Sequence, residues 1–103
     1  MPHRSFSGEL TYEVRIRDGD YVLAKGCATS GCIHDLYVHE KYRRKGYATQ
    51  IVKLLMDRYG ANWLWCKDDN KEAIALYKKL GFKISKIDDG YYKMSLKEGS
   101  NDF

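Results

Sequence analysis

The sequence lacks the patterns that would assign it to several large classes of protein. No apolar run approaches the length needed to cross a membrane, and no hydrophobic segment follows the N-terminal residues as in a signal peptide. Cys27, Cys32 and Cys66 are an odd set without Cys-x-x-Cys spacing, which disfavours a disulfide framework or a zinc site. Internal repeats, linkers and low-complexity tracts are missing as well. We therefore expect a soluble, cytoplasmic protein with reduced cysteines and no bound metal.

Length and charge narrow the class further. The 103 residues are enough for one domain, which we place at 1–103 with a loose tail at 98–103. The net charge of +4 is too small to decide between a nucleotide cofactor, nucleic acid and a merely soluble surface. The one tight basic cluster, Lys41–Lys45, suits a few phosphates better than a long nucleic-acid track.

Hydrophobic periodicity predicts strands first and then alternating helices and strands. Apolar and polar residues alternate over Glu9–Arg17, which predicts a strand with Leu10 on its buried side and Thr11 on its wet side. Asp69 and Glu72 have the spacing of a capping box before the second helix. The order β-β-β-α-β-α-β-β predicts an α/β (α+β) fold with a mixed sheet. The other strands are expected at Tyr21–Cys27, Cys32–His39, Ala61–Lys67, Phe82–Ile87 and Tyr91–Lys97, and helical stripes at Gly46–Tyr59 and Ala73–Leu80.

The junction between the third strand and the first helix has the features of an anion site. The strand Ile33–Val38 leads through a bend into Arg43-Arg44-Lys45-Gly46-Tyr47-Ala48, where the helix begins. A helix N-terminus offers unpaired backbone N–H groups and a partial positive charge. Gly46 and Ala48 are small enough to let a ligand approach the backbone. The spacing matches neither a Walker loop nor a dinucleotide-binding fingerprint.

Two motifs in this order resemble the GNAT N-acetyltransferase superfamily. The stretch Ile33–Ala48 is similar to its central motif, Leu-x-Val, a bend, then Arg/Gln-x-x-Gly-x-Gly/Ala. Its second run, Asn-x-x-Ala-x-x-x-Tyr-x-x-x-Gly-Phe, is matched by Asn70, Ala73, Tyr77 and Leu80-Gly81-Phe82. The resemblance implies a GNAT-like, mostly antiparallel sheet with two main helices. It also implies direct transfer of acetyl from acetyl-CoA to a primary amine of unknown identity.

The resemblance further implies which residues contact coenzyme A. The backbone at Leu36 and Val38 would pair with the pantetheine arm, where the strands Ile33–Val38 and Ala61–Lys67 splay apart. Asn70 would bind the pantetheine, although capping of the second helix explains this residue equally well. The pyrophosphate would be held mainly by backbone N–H groups of a loop comprising Arg43, Arg44, Lys45, Gly46, Tyr47, Ala48 and Thr49.

One tyrosine matches the family's proton donor. Tyr77 occupies the position that, by resemblance, protonates the leaving thiolate, while its place on an apolar helical stripe also suits a core residue. Cys66 lies on the strand that would splay, and a buried, inert thiol is its simplest interpretation. Direct attack by the amine requires no covalent enzyme intermediate, so no activated serine or cysteine is needed.

His34 and Asp35 are the candidates for the base that deprotonates the acceptor. Histidine has the more suitable intrinsic pKa, but a structural role for both residues, with water as the base, stays open. On a regular strand successive side chains point to opposite faces. His34 is therefore expected on the same face as Leu36 and Val38, and Asp35 on the same face as Ile33 and Tyr37.

The sequence departs from the family pattern before its central strand. Members of the family begin with a strand and two helices. In this sequence, the roughly thirty residues before the central strand instead predict a hairpin. Glu40 also replaces the family's usual proline. One face of the sheet is thus expected to lack cover, with Tyr37, Trp63 and Trp65 on a common side. This predicts a homodimer in which the partner, or a macromolecular substrate, completes the acceptor pocket.

Two other functions remain open from the sequence. A non-catalytic acyl-CoA-binding module would keep the cofactor loop without an efficient acceptor site. A small nucleic-acid-binding protein would use the basic cluster and exposed aromatic rings, and its binding would weaken with salt. The motifs favour the acetyltransferase over both.

Overall fold

The chain consists of two units that both combine antiparallel strands with one α-helix. Backbone contacts divide it into Met1–Ala61 and Asn62–Phe103. The computed structural model describes residues 2–4 and 10–96. Within each unit, neighbouring strands pair in the antiparallel sense.

The first unit places its strands in the order β1-β2-β3-β4. A short 3₁₀ helix, Glu40–Tyr42, connects the last strand to α1, Tyr47–Tyr59. Gly46 and Gly60 bound α1, both in the left-handed conformation. The strands are β1 (Pro2–Arg4), β2 (Leu10–Asp18), β3 (Tyr21–Thr29) and β4 (Cys32–Val38).

The second unit arranges three strands in the order β5-β7-β6, with one helix against β6. The residues from Asp88 to Tyr91 turn tightly between β6 and β7, with positive φ at Asp89 and Gly90. Its buried apolar side chains are Leu64, Cys66, Tyr77, Phe82 and Met94. The elements are β5 (Trp63–Lys67), α2 (Lys71–Lys79), β6 (Phe82–Asp88) and β7 (Tyr91–Leu96).

The predicted order of elements is confirmed in the described residues, with one addition and one correction. Strand β1 was not expected, because three residues that include Pro2 carry no readable alternation. The capping box at Asp69 is wrong: Asn70 is the N-cap residue, and α2 begins one residue later. The tail expected at 98–103 lies outside the described residues.

The start of β2 also departs from the predicted alternation. Leu10 is 45% exposed, whereas Thr11, expected on the wet face, is 5% exposed. The Thr11 hydroxyl is hydrogen-bonded to the Thr29 hydroxyl across the strand pair at 2.7 Å. A buried hydroxyl is tolerated when it is hydrogen-bonded in this way. The polar face of this sheet, which carries Thr11 and Thr29, is therefore partly buried.

The close approach of α1 to β3 defines the apolar face of the first unit. A Cβ atom built on Gly26 would lie 2.7 Å from Cγ2 of Ile51, so this strand position has no room for a side chain. Ile51 and Leu55 on α1 are fully buried, and each contributes about 1.5–3 kcal/mol by burial. At the end of the helix, the ring of Tyr59 stacks on Tyr12 of β2 at 4.4 Å between centroids.

Gly26→Ala should destabilise the protein because its methyl group overlaps Ile51. Overpacking of this kind costs about 1–3 kcal/mol in the free energy of unfolding. Ile51→Ala removes the clashing methyl group. In the Ile51→Ala background, Gly26→Ala should therefore cost less in the free energy of unfolding than it costs in the parent protein. Urea denaturation of the single and double variants measures both effects. Lys25→Ala, on the opposite face, is the control, and additive costs would contradict the clash.

Candidate functional site

The connection from β4 to α1 is held by its own backbone and aromatic rings. The His39 N–H group donates to the Leu23 carbonyl at 2.7 Å, and the His39 carbonyl accepts from the Tyr42 N–H group at 2.8 Å. The ring of Tyr42 lies between His39 and Tyr47, with centroids 5.6 and 6.2 Å away. These contacts fix the path of the chain into α1 where the family's proline is replaced.

The N-terminus of α1 is suited to bind an anion. Gly46, the N-cap residue, has φ +84° and no side chain to bond the N–H groups of Tyr47, Ala48 and Thr49. The first turn contains no acidic residue that would neutralise the helix dipole. Among the described residues, no atom outside its immediate neighbours lies within 4 Å of a Cβ built on Gly46. The space above these N–H groups is therefore open to a ligand.

The N-terminus of α2 has the opposite character. Asn70 caps it, with its side-chain oxygen accepting from the Ala73 N–H group at 3.2 Å. Glu72 stands in the first turn, where a carboxylate interacts favourably with the dipole. The capping interpretation of Asn70 is thus confirmed, whereas its contact with a cofactor stays a prediction. Of the two α-helices in the described ranges, only α1 presents an end that is open and unopposed by acidic groups.

The three basic residues before Gly46 are exposed, but they do not act alike. The Arg43 side chain turns back, and its Nε donates to the carbonyl of Val38 at 3.2 Å. Arg44 has φ +66°, a conformation that non-glycine residues adopt rarely and that often marks functional loops. Arg43 therefore stabilises the end of β4 through this hydrogen bond. All three side chains, including that of Lys45, contribute positive charge around the loop.

A β-bulge at Asp35 corrects the predicted faces of β4. Cys27 of β3 pairs with His34 and Lys25 pairs with Tyr37, so two residues of β4 lie opposite Gly26. Asp35 is the extra residue and has φ +53°, which aspartate tolerates better than most side chains. His34 consequently shares a face with Cys27 and Tyr37. The expectation that it shares one with Leu36 and Val38 is wrong.

The bulge brings Asp35 next to His34 instead of onto the opposite face. His34 Nδ1 lies 3.1 Å from a carboxylate oxygen of Asp35. On the other side of the ring, Nε2 lies 2.8 Å from the hydroxyl of Thr29, which is bonded in turn to Thr11. The two candidate bases therefore form one hydrogen-bonded chain. Sequence reasoning missed both threonines; an aspartate within a strand, where it is uncommon, was the one available signal of the bulge.

Tyr77 is a buried phenol in the second unit. It is 6% exposed, and its ring packs edge-on against Phe82 at 5.7 Å between centroids. Burial, together with the Cys66 thiol, raises the pKa of Tyr77 to about 12. Burial and then Asp69 raise the pKa of Cys66 as well, so that thiol stays protonated. Tyr77 can therefore donate a hydrogen bond at any neutral pH, while Cys66 is a poor nucleophile.

Solved acetyltransferases share this fold. The ribosomal-protein-S18-alanine N-acetyltransferase from Escherichia coli is 22% identical, with a TM-score of 0.71 over 84% of this chain and 68% of its own. The PaiA N-acetyltransferase from Thermoplasma acidophilum, solved in complex with coenzyme A, is 17% identical, with a TM-score of 0.71 over 84% and 60%. At such identities the likeness shows the fold alone. It confirms the predicted GNAT-like α+β class.

Sequence comparison identifies the family. An N-alpha-acetyltransferase from Saccharolobus solfataricus is 41% identical over 68 residues, which cover 60% of this chain and 41% of the relative. The chain thus matches about two fifths of the length of this curated relative. The sequence model of the acetyltransferase (GNAT) family matches residues 13–82. Since this is more than half of the chain, the chain belongs to the acetyltransferase (GNAT) family, as its two motifs predicted. No helix in the described ranges has the length and apolar character to span a membrane.

Proposed function

We propose that this chain is an acetyl-CoA-dependent N-acetyltransferase that transfers the acetyl group to an amine by direct attack. The observation that carries the proposal is the N-terminus of α1. It is capped by a glycine, lacks acidic residues in its first turn and follows three exposed cationic residues. Such an end suits the pyrophosphate of coenzyme A, which is a phosphate anion of the kind that helix N-termini bind. The family match supports the same function.

We place the acceptor among the α-amines of peptide or protein N-termini. The 41%-identical relative from Saccharolobus solfataricus is an N-alpha-acetyltransferase. An α-amine has a pKa of about 8, against about 10.4 for lysine, so far more of it is uncharged at neutral pH. A weak base then suffices to generate the nucleophile. His34, beside Asp35 on the polar face of the first unit, is our candidate for that base.

We assign the acceptance of the amine's proton to His34 and the stabilisation of the leaving thiolate to Tyr77. With Nε2 of His34 donating to Thr29, Nδ1 accepts the amine's proton, and the Asp35 carboxylate stabilises the imidazolium. A phenol of pKa about 12 is a weaker acid than a thiol of pKa about 8.5. Tyr77 therefore acts mainly by donating a hydrogen bond to the developing thiolate.

The assembly we propose is a homodimer that pairs β6 with β6 of a second copy. This strand is the last in the order β5-β7-β6, and it exposes Ile84 by 37% and Ile87 by 70%. A shift in register between Ile84 and Lys86 places both isoleucines on one face. Antiparallel pairing about the point midway between Ser85 and Lys86 sets Ile84 opposite Ile87, and Lys83 opposite Asp88. Apolar and opposite-charge pairs of this kind stabilise a sheet.

Domain organisation and location complete the proposal. We assign residues 1–103 to one acetyltransferase domain, since the family match at 13–82 includes parts of both units. The three cysteines are thiols, which suits the reducing cytoplasm. Fractionation that finds the protein in an oxidising compartment would contradict this location, and separate unfolding transitions of the two units would contradict a single domain.

Gly46→Ala should weaken the binding of coenzyme A by at least about tenfold, because a methyl group would enter the open space above the helix end. Gly60→Ala is the matched control at the other end of α1. It also has a positive φ with no described neighbour within 4 Å of a built Cβ, so its backbone strain is similar. Isothermal titration of coenzyme A into both variants measures the difference. Equal losses would disprove the assignment of the loop.

Tyr77→Phe should lower kcat by about 10²-fold with little change in the KM for acetyl-CoA. His34→Gln should lower the rate at neutral pH, and the deficit should shrink as the pH rises above the pKa of the amine. Initial rates with a peptide carrying a free N-terminus, measured across pH, check both, with an N-terminally blocked lysine peptide as control. A pH-independent deficit would exclude His34 as the base. Tight coenzyme A binding without turnover of any amine would favour the non-catalytic module.

Lys83→Asp should weaken the dimer, because the introduced carboxylate of each copy would oppose Asp88 of the other. Adding Asp88→Lys should restore it, since the charges are then exchanged and complementary again. Sedimentation equilibrium of the parent, single and double variants measures the association. A monomeric parent at high concentration, or a single variant that associates as strongly as the parent, would rule out this interface.

A further inference from the structure

The polar face of the first unit gathers three groups that can bind a metal ion. One ligand atom each from Cys27, His34 and Asp35 lie within 4.8 Å of one another. They come from two neighbouring strands, and only the bulge at Asp35 places its carboxylate on the side of the other two. A left-handed conformation at a non-glycine residue costs stability, and such strain is often retained for function. No metal-ligand spacing is readable in the sequence here, because the three residues meet through strand pairing.

The distances are close to those of tetrahedral coordination. Zinc bonds of about 2.0–2.3 Å put a nitrogen and an oxygen ligand about 3.3 Å apart, and a nitrogen and a sulfur about 3.6 Å apart. His34 Nδ1 and Asp35 Oδ2 are already 3.1 Å apart. Cys27 Sγ lies within 4.8 Å of a ligand atom of each of the other two residues, so coordination requires it to move closer by roughly 1 Å.

The surroundings of His34 supply the support that a metal-binding histidine needs. Such a ring normally donates its second N–H group to an oxygen, which fixes its orientation. Here Nε2 is 2.8 Å from Thr29 Oγ1, and Thr29 is bonded to the buried Thr11 at 2.7 Å. The Nδ1 lone pair is then directed at the Asp35 carboxylate, so uptake of a proton by Nδ1 or binding of a cation there relieves the repulsion between them.

The local electrostatics favour a cation near Cys27. The carboxylates of Glu13 and Asp35 place negative charge near this thiol. The same charges attract a divalent ion, whose binding would in turn stabilise the thiolate. Glu13 is partly balanced by Arg15 at 3.1 Å and Lys25 at 4.0 Å. The side chains of His34 and Asp35 are 37% and 75% exposed, which gives an ion access from solvent.

We propose that Cys27, His34 and Asp35 form a binding site for a thiophilic divalent cation, with Zn²⁺ as the best fit. Thiolate and imidazole ligands select zinc-like ions over Mg²⁺ and Ca²⁺, which require oxygen ligands. Three protein ligands leave the fourth position to water. The bound ion occupies His34 Nδ1, so that nitrogen no longer accepts a proton. This consequence, inhibition of acetyl transfer by Zn²⁺, rests on the proposed function; the metal site itself does not.

Co²⁺ titration of the untagged, reduced protein tests the site directly. Binding should produce the intense near-ultraviolet absorption of a thiolate–cobalt bond, and Zn²⁺ should displace it. Cys27→Ser should abolish the band, whereas the double variant Cys32→Ser/Cys66→Ser should retain it. Absence of the band in the parent protein, or its loss only in the double variant, would overturn the proposal.

Two further variants separate coordination from folding. Asp35→Asn tolerates the same left-handed backbone while weakening a metal ligand, so Co²⁺ affinity should fall by about tenfold or more. Thr29→Val removes the hydrogen bond to His34 and should also weaken Co²⁺, by about tenfold. Circular dichroism must match the parent in each case. Unchanged affinity in folded Asp35→Asn would exclude Asp35 as a ligand and overturn the three-residue site.

Measurements of acetylation in the presence of Zn²⁺ distinguish failure of the proposed metal site from failure of the proposed function. Zn²⁺ should inhibit acetylation of a free N-terminal peptide by the parent protein, and a chelator should reverse the inhibition. The fold-inhibition of Cys27→Ser, relative to its own uninhibited rate, should be much smaller. A cobalt band without any acetylation would uphold the site and overturn the function. A cobalt band with full activity in saturating Zn²⁺ would overturn the inhibitory role.

Discussion

The close approach of α1 to β3 at Gly26 is the constraint on which the first unit depends. A strand position without a side chain lets Ile51 and Leu55 bury completely, and this contact fixes the axis of the helix. The axis in turn determines where the first-turn N–H groups point. The open end at Gly46 is therefore a consequence of packing about one and a half turns away, and the basic residues before it add charge to a geometry already set.

The sheet of the first unit has one apolar and one polar face, and the bulge at Asp35 determines which residues of β4 lie on the polar face. One face of β2, β3 and β4 packs its apolar residues against α1, including Val14, Ala24 and Ile33. The other face carries the hydrogen-bonded chain from Thr11 to Asp35. One extra residue in β4 lets His34 and Asp35 belong to the same face, so that a carboxylate supports an imidazole.

The fold was largely predictable because its signals are local. Period-two alternation, the helical stripe of α1 and the glycines at its two ends indicated elements whose bounds differ from the structure by a few residues. The candidate site was predictable only in part. The positions of the loop and the helix follow from the spacing of the motifs. The faces of the sheet on which His34 and Asp35 lie depend on a bulge. The burial of Thr11 depends on a partner eighteen residues away in the sequence. Such cross-strand relations leave little trace in a single sequence.

The distribution of tryptophan has a practical consequence. Both tryptophans of the chain, Trp63 and Trp65, lie on β5, and the first unit has none. Trp63 also lies under the Lys93 ammonium group, 4.7 Å from the ring centroid, and a cation at that distance influences the emission of an indole. Tryptophan fluorescence therefore reports on the second unit, whereas the stacked pair Tyr12–Tyr59 is an intrinsic chromophore of the first. The second half of this small protein can therefore be followed on its own without an attached label.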